Sequence, residues 1–365
     1  MTDALLLIVA LVVILAGAEL FTNGIEWFGR KLNLAEGAVG SVLAAVGTAL
    51  PETMIPIIAI LFSAQGGGEG SHDTSHAVGV GAILGAPFML ATLAMFVTGL
   101  GVVLYGRRRA TGGVMQVDAK VLGKDVRYFF VTYGLAVGAA LLPAQFSVAK
   151  LGVAGLLIVL YALYVKAHFE AASTSHADEL APLRFHRFDR AGRRADPTTP
   201  RLRAVNLQVL AALGLILVGA VFFVDAVEHL AEQFAVDPAL LSLVIAPIAT
   251  ELPEKFNSIL WVRQGKDTLA MGNITGAMVF QSCIPTFVAL VFAGDAWSIF
   301  DPGTGAVTTE SLVTFASAGM AFIASAIIFV PMMRSGTLHG RRLLIGGVLY
   351  LLYLALVLAS VMGVI

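Results

Sequence analysis

Apolar residues run along this chain in stretches too long for the elements of a soluble domain. A helix needs about 20 such residues to cross the hydrocarbon of a bilayer. Ten stretches approach or exceed that length: Leu5–Phe28, Gly37–Phe62, Ala77–Tyr105, Tyr128–Leu142, Leu151–His168, Val205–Phe234, Pro238–Val262, Leu269–Phe292, Leu312–Met333 and Leu343–Val364. The fourth is short, and the third is long, with Gly99 and Gly101 predicting a bend within it. The polar intervals carry a second pattern. With ten spans, the connections after spans 1, 3, 5, 7 and 9 share one face, and they hold 21 of the 23 Lys and Arg. Cytoplasmic connections carry the excess of Lys and Arg. The pattern therefore predicts an all-α polytopic membrane protein of ten transmembrane helices, in the plasma (inner) membrane, with both termini outside.

Composition agrees. The 365 residues are 58% hydrophobic and 13% charged, with a mean hydropathy of +0.87. Soluble domains average roughly 25% charged residues, so the chain is expected to sit in the bilayer throughout, and nothing in it predicts a nucleic-acid ligand or an obligatory protein partner. Met1-Thr2-Asp3 lacks a positive leader region, which predicts no cleavable signal. The lone Cys283 excludes an internal disulfide framework and lies in an apolar run, as an inert buried thiol would. One interval breaks the composition: residues 169–203 are polar, Arg-rich and end in DPTTP. They read as a solvated cytoplasmic linker between a first half (1–168) and a second half (204–365). His168, Glu170, His176, Asp178 and Glu179 raise a regulatory metal as an alternative there, and Glu69, His72, Asp73 and His76 raise it in the glycine-rich outer connection. A solvated charge cluster is the simpler reading of both.

The two halves repeat. With a shift of 202, Gly17–Glu52 aligns without a gap on Gly219–Glu254; downstream the shift falls to 191, and Gly81, Ile83, Gly85 and Ala86 meet Gly272, Ile274, Gly276 and Ala277. Each half holds five spans, so the second enters the membrane from the opposite side and the repeats are inverted. Within them AVGTALPETMIP and IAPIATELPEKFN place Glu52 and Glu254 directly after Pro51 and Pro253. Proline removes a backbone donor and interrupts the helix ladder. Helices 2 and 7 are thus expected to be broken. Paired broken helices in inverted halves mark a transporter's midplane site, and an ionisable group at that depth is a functional group by default.

Glu52 and Glu254 are hard oxygen ligands. Thr48 and Thr250 stand one turn earlier on the same helical faces, and Asn273, Thr275, Gln281 and Ser282 add polar oxygens from the following helix of the second half. Two carboxylates with hydroxyls and carbonyls suit calcium, which takes six to eight oxygens in a flexible cage. Glu251, three residues before Glu254, sets a second carboxylate beside the first. Two carboxylates in low dielectric resist joint ionisation, which makes a proton a candidate coupling ion. The expected activity is transport of an inorganic cation, calcium fitting best, with no cofactor and with inorganic cations and lipid as partners. A membrane-embedded enzyme or a sensor would need a nucleophile and base or a His-rich site; by this reading no His except His229 lies deep in a span.

With those residues in place the chain resembles the sodium/calcium exchanger family of the calcium:cation antiporter superfamily. That family repeats G-T-S-x-P-E, followed by G-N-x-x-G-S-N-x-x-N/D. Here the first motif stands as GTALPE and ATELPE, the second as GAILGAPFML and GNITGAMVFQ. The resemblance implies ten helices in two inverted halves, secondary antiport of calcium for sodium or protons by alternating access with sliding of helices 1 and 6, and Glu52 and Glu254 as central calcium ligands; a proton-coupled exchanger of another cation using Glu251 is the alternative. Ala49, Glu251, Ala86 and Ala277 occupy serine positions of the motifs, and Leu90 and Gln281 stand where the family has Asn or Asp. The family uses those oxygens for sodium as well as calcium.

Overall fold

The computed structural model describes residues 2–34, 38–49, 52–53, 56–57, 60, 80, 82–170, 180–188, 200–233, 252–300, 305–307 and 309–362. It is almost wholly helical. In chain order the elements are α1 (Thr2–Lys31), α2 (π-helical Val39–Ala44 running into α-helical Ala45–Thr48), α3 (Ala82–Arg108), β1 (Val114–Gln116), α4 (Ala119–Ala140), α5 (Ser147–Phe169), α6 (Leu202–Gln233), α7 (Leu252–Gln264), α8 (Asp267–Phe292), α9 (Thr309–Ser335), β2 (Thr337–His339) and α10 (Ile345–Val361). Among the described residues seven helices, α1, α3, α5, α6, α8, α9 and α10, contain a segment long and apolar enough to cross a membrane. Their outward faces carry Leu5, Val12, Val148, Val159, Leu210, Val348 and Leu351, all exposed. Such a surface is a liability in water and is what lipid requires.

The centre of the bundle is α8. Of its apolar window 78% is buried, against 17% for α10. It packs against α2, α4, α5 and α7. Two glycines let α2 approach it closely: a Cβ on Gly276 would stand 2.6 Å from the carbonyl carbon of Ser41, and one on Gly272 2.9 Å from Ser41 Oγ. Small residues at such spacing permit close helix contact in membranes.

α1 and α6 pack along their length, and their contacts are reciprocal. A Cβ on Gly17 would meet Ile216 and Ala212; one on Gly219 would meet Ile14 and Ala10. These are the same pairs with the two halves exchanged at the shift of 202. Further along, Gly24 meets Val209, so a rising number on α1 pairs with a falling number on α6 and the helices run antiparallel.

The connections expected on one face do gather at one end of the bundle. β1 and β2 pair antiparallel (Val114 with His339, Met115 with Leu338, Gln116 with Thr337) and join the α3–α4 and α9–α10 connections. Arg109, after α3, forms a buried 2.7 Å ion pair with Asp267 at the start of α8 and also donates to the Val262 carbonyl. Lys266, between α7 and α8, lies 2.9 Å from Glu26 near the end of α1. Between α5 and α6, Leu180–Phe188 packs on the ends of α1 and α6: Trp27 Nε1 donates to the Ala181 carbonyl at 2.9 Å, Gln208 Oε1 accepts from Phe185 N at 2.8 Å, and Leu183 is fully buried.

Three expectations are corrected. α4 begins at Ala119, more than two turns before the expected Tyr128, capped by Asp118, whose Oδ1 accepts from Lys120 N and Val121 N. The polar residues that hid this start are tolerated because the buried one, Asp125, is surrounded by donors. The irregularity in α3 is a π-helical segment at Leu90–Ala94 and not a bend at Gly99 and Gly101; Gly99 instead admits the close approach of Gly340 and Leu343. The described linker segment, residues 180–188, is docked and not free in solvent, and His168, the last residue of the expected fifth span, is buried within α5 instead of facing the linker as a metal ligand would. His176, Asp178 and Glu179, and the outer Glu69, His72, Asp73 and His76, lie outside the described residues. Among the described residues no group of three or more His, Cys, Asp and Glu is placed to hold a metal.

Candidate functional site

The GTALPE segment reaches α8 through two contacts. Thr48, fully buried at the end of α2, brings Oγ1 to 3.1 Å from Asn273 Oδ1, while the same hydroxyl lies 3.0 Å from the Ala44 carbonyl. One turn on, the half-buried Glu52 accepts through Oε2 from Gln281 Nε2. Past Pro51 the ladder closes again, with Thr53 N donating to the Ala49 carbonyl at 3.1 Å. Thr48 and Glu52 therefore share a face, as their spacing requires, and Asn273 and Gln281 lie two turns apart on α8 to meet them. An ionised carboxylate only accepts, so the Gln281 amide is a fitting neighbour for it.

α8 is also prepared locally. Pro285 lies inside the helix and lacks the N–H that would bond the Gln281 carbonyl. Thr286 Oγ1 donates to that carbonyl instead, at 3.3 Å. Ser282, predicted with the site, is fully buried, but its hydroxyl donates to the Met278 carbonyl of its own helix at 2.6 Å. The structure thus unites Thr48, Glu52, Asn273 and Gln281 and leaves Ser282 turned to its own backbone. In the second half, α7 starts at Leu252 with Pro253 in its first turn, where proline's missing donor costs nothing. Thr250 and Glu251, and the side chain of Glu254, lie outside what is described.

Residues 2–169 and 206–362 match the sodium/calcium exchanger protein family. The chain belongs to the sodium/calcium exchanger family. As such it is a membrane transporter of cations, an antiporter and not an enzyme. The two matched stretches flank the Arg-rich interval. Among relatives, the chain is 27% identical to the candidate antiporter CaxA of Alkalimonas amylolytica, over 75% of this chain and 76% of that one. It is 25% identical to the inner membrane protein YrbG of Escherichia coli K12, over 76% of each. The fold is similar to that of the sodium-calcium exchanger NCX_Mj soaked with sodium and calcium, with a TM-score of 0.65 at 16% identity, covering 97% of this chain and 98% of that one.

Beside this site the exchanger buries a further carboxylate that sequence reasoning missed. Asp125 of α4 is fully buried. Its Oδ2 accepts from Ser41 Oγ at 2.7 Å and from Thr275 Oγ1 at 2.6 Å. Its Oδ1 lies 3.0 Å from Tyr164 Oη and 2.9 Å from His168 Nε2. The imidazole contact lacks the geometry of a hydrogen bond. A signal existed: Asp125 falls in register with Leu122, Phe129, Thr132 and Ala136, the buried stripe of α4. Its basic neighbours Lys120, Lys124 and Arg127 made the stretch read as a connection.

Proposed function

We propose that this exchanger carries calcium against sodium or protons by alternating access, at a midplane site whose ligands are Glu52 and Glu254 with oxygens from Thr48, Thr250 and Asn273. The observation that carries the reading is the pairing of the GTALPE face with α8, which brings a carboxylate and an amide oxygen to the contact of α2 with the most buried helix of the bundle. A divalent ion gives up a large hydration energy on entry, and two carboxylates offset it. Gln281 completes the wall by orienting Glu52, while Ser282 bonds its own helix. Around this site the chain is arranged as ten spans in two inverted halves, residues 1–168 and 204–365, joined by a linker at 169–203. The reciprocal, antiparallel contact of α1 with α6 supports that inversion, because equivalent pairs exchanged between antiparallel helices are related by a two-fold axis across them. The gathering of the Lys- and Arg-rich connections at one end supports a cytoplasmic placement for that end and external termini.

A proton as coupling ion is favoured by a specific departure. Ala277 and Gln281 stand where the family's second motif has Ser and Asn or Asp, and Glu251 adds a carboxylate at a serine position of the first. Proteoliposomes loaded and diluted so that calcium, sodium and pH gradients vary independently separate the two couplings. Calcium uptake driven by an outward sodium gradient at fixed pH supports sodium, and uptake driven only by a pH gradient supports the proton. Uptake indifferent to both gradients contradicts antiport.

A further inference from the structure

The Asp125 network lies outside the cation site but touches both of its walls. Ser41 precedes Thr48 by two turns on α2, and Thr275 follows Asn273 by two residues on α8. Both hydroxyls converge on one atom, Asp125 Oδ2. They do so where the two backbones come closest, at Ser41 and Gly276. Tyr164 Oη lies 2.9 Å from the Ser41 carbonyl and 3.0 Å from Asp125 Oδ1, so its one proton ties α5 to either acceptor of the same network. Ser41 sits within the π-helical segment of α2, and such segments concentrate at functional sites.

We propose that Asp125 is a positioning residue for cation binding: its carboxylate ties α2 to α8 and thereby sets the separation at which Thr48 and Glu52 face Asn273 and Gln281. The inference rests on the site reading above. The chemistry demands a carboxylate. Two hydroxyls meet on one oxygen, and a phenol and an imidazole meet on the other. An amide of the same shape offers only one acceptor oxygen, so either the hydroxyl pair or the phenol and imidazole then face an NH2 group. A carboxylate so deep requires compensation, which the Ser41 and Thr275 hydroxyls supply at one oxygen while Tyr164 and His168 stand beside the other. α4 thus contributes no ligand to the cation yet holds both ligand-bearing helices in register.

The test is calcium binding to the purified full chain by titration calorimetry, with the melting temperature of each variant measured alongside. Ser41→Ala and Thr275→Val each remove one hydroxyl, and each is expected to weaken calcium binding about threefold to tenfold, the range that one lost hydrogen bond spans. Asp125→Asn is expected to weaken it at least as much. In the Asp125→Asn background neither hydroxyl substitution should weaken binding further, since the common acceptor is already lost. A purely structural carboxylate would lower the melting temperature and leave the affinity of the folded protein at the parent value, and that outcome overturns the proposal. If Asp125→Asn fails to fold, parent affinity in both hydroxyl variants overturns it equally. Glu52→Gln serves as the reference: parent affinity there refutes the site reading, and this inference with it. Loss in Glu52→Gln with parent affinity in the three network variants refutes this inference alone.

Discussion

Gly276→Ala is the substitution that tests the close approach of α2 to α8 most sharply. A Cβ on Gly276 would lie 2.6 Å from the carbonyl carbon of Ser41 and 2.7 Å from its Cα, and closer still to its oxygen. Ordinary contact begins near 3.4 Å, so α2 and α8 must separate by at least about 0.8 Å at this point. Moved that far, the 3.1 Å Thr48–Asn273 contact exceeds the reach of a hydrogen bond. Overpacking costs about 1–3 kcal/mol, and the lost bond about 1 kcal/mol more. The better helix propensity of alanine returns about 1 kcal/mol. Gly276→Ala is therefore expected to lose roughly 1–3 kcal/mol net and to weaken cation binding, because the spacing of the site is what moves. Thermal melting of the purified Gly276→Ala variant, with calcium uptake in proteoliposomes, reads the change. A Gly276→Ala protein that melts and transports like the parent refutes the close approach of α2 and α8.

Breaking the buried Arg109–Asp267 pair with Arg109→Ala leaves a carboxylate unpaired at the foot of α8. It should cost about 3–5 kcal/mol, seen as a lower melting temperature, whereas replacing both residues by apolar ones should recover much of it. Cysteines placed in Leu180–Phe188 and beside Arg341 should react with a membrane-impermeant thiol reagent from the same side, and one placed in residues 66–75 only from the other. Labelling of all three from one side contradicts the ten-span arrangement. Glu251→Ser, which restores the residue of the family motif, should flatten or shift the pH dependence of uptake if the proton is the coupling ion. An unchanged profile with unchanged cation affinity removes Glu251 from the coupling.

The parts of the fold legible in the sequence are those set by one-dimensional patterns. Apolar stretch length places α1, α5, α6, α8 and α9 within a few residues, and the count of Lys and Arg sorts the connections to one end. The repeat located Thr48 and Glu52, and GNITGAMVFQ located the helix they face, with its glycines at the point of closest approach. The start of α4 was obscured because four charged residues within eight positions look like solvent-facing chain. Only three-dimensional packing shows that Asp125 turns inward while Lys120, Lys124 and Arg127 do not share its burial. The inward role of His168 is hidden for a related reason: at the edge of an Arg-rich interval, nothing in the sequence shows its carboxylate neighbour on another helix. Ser41 and Thr275 are too ordinary in type and position to stand out, and their role comes entirely from a shared acceptor 84 residues from one and 150 from the other.

The central claim is that cations cross at the paired carboxylates. The most direct test is calcium uptake into proteoliposomes by Glu52→Gln and Glu254→Gln, each a substitution that preserves shape and removes one charge. The account predicts that both variants insert and melt near the parent but carry calcium at no more than background rates, since a half-neutralised site no longer offsets dehydration of a divalent ion. Parent rates in both variants would place the pathway elsewhere in the bundle and contradict the account.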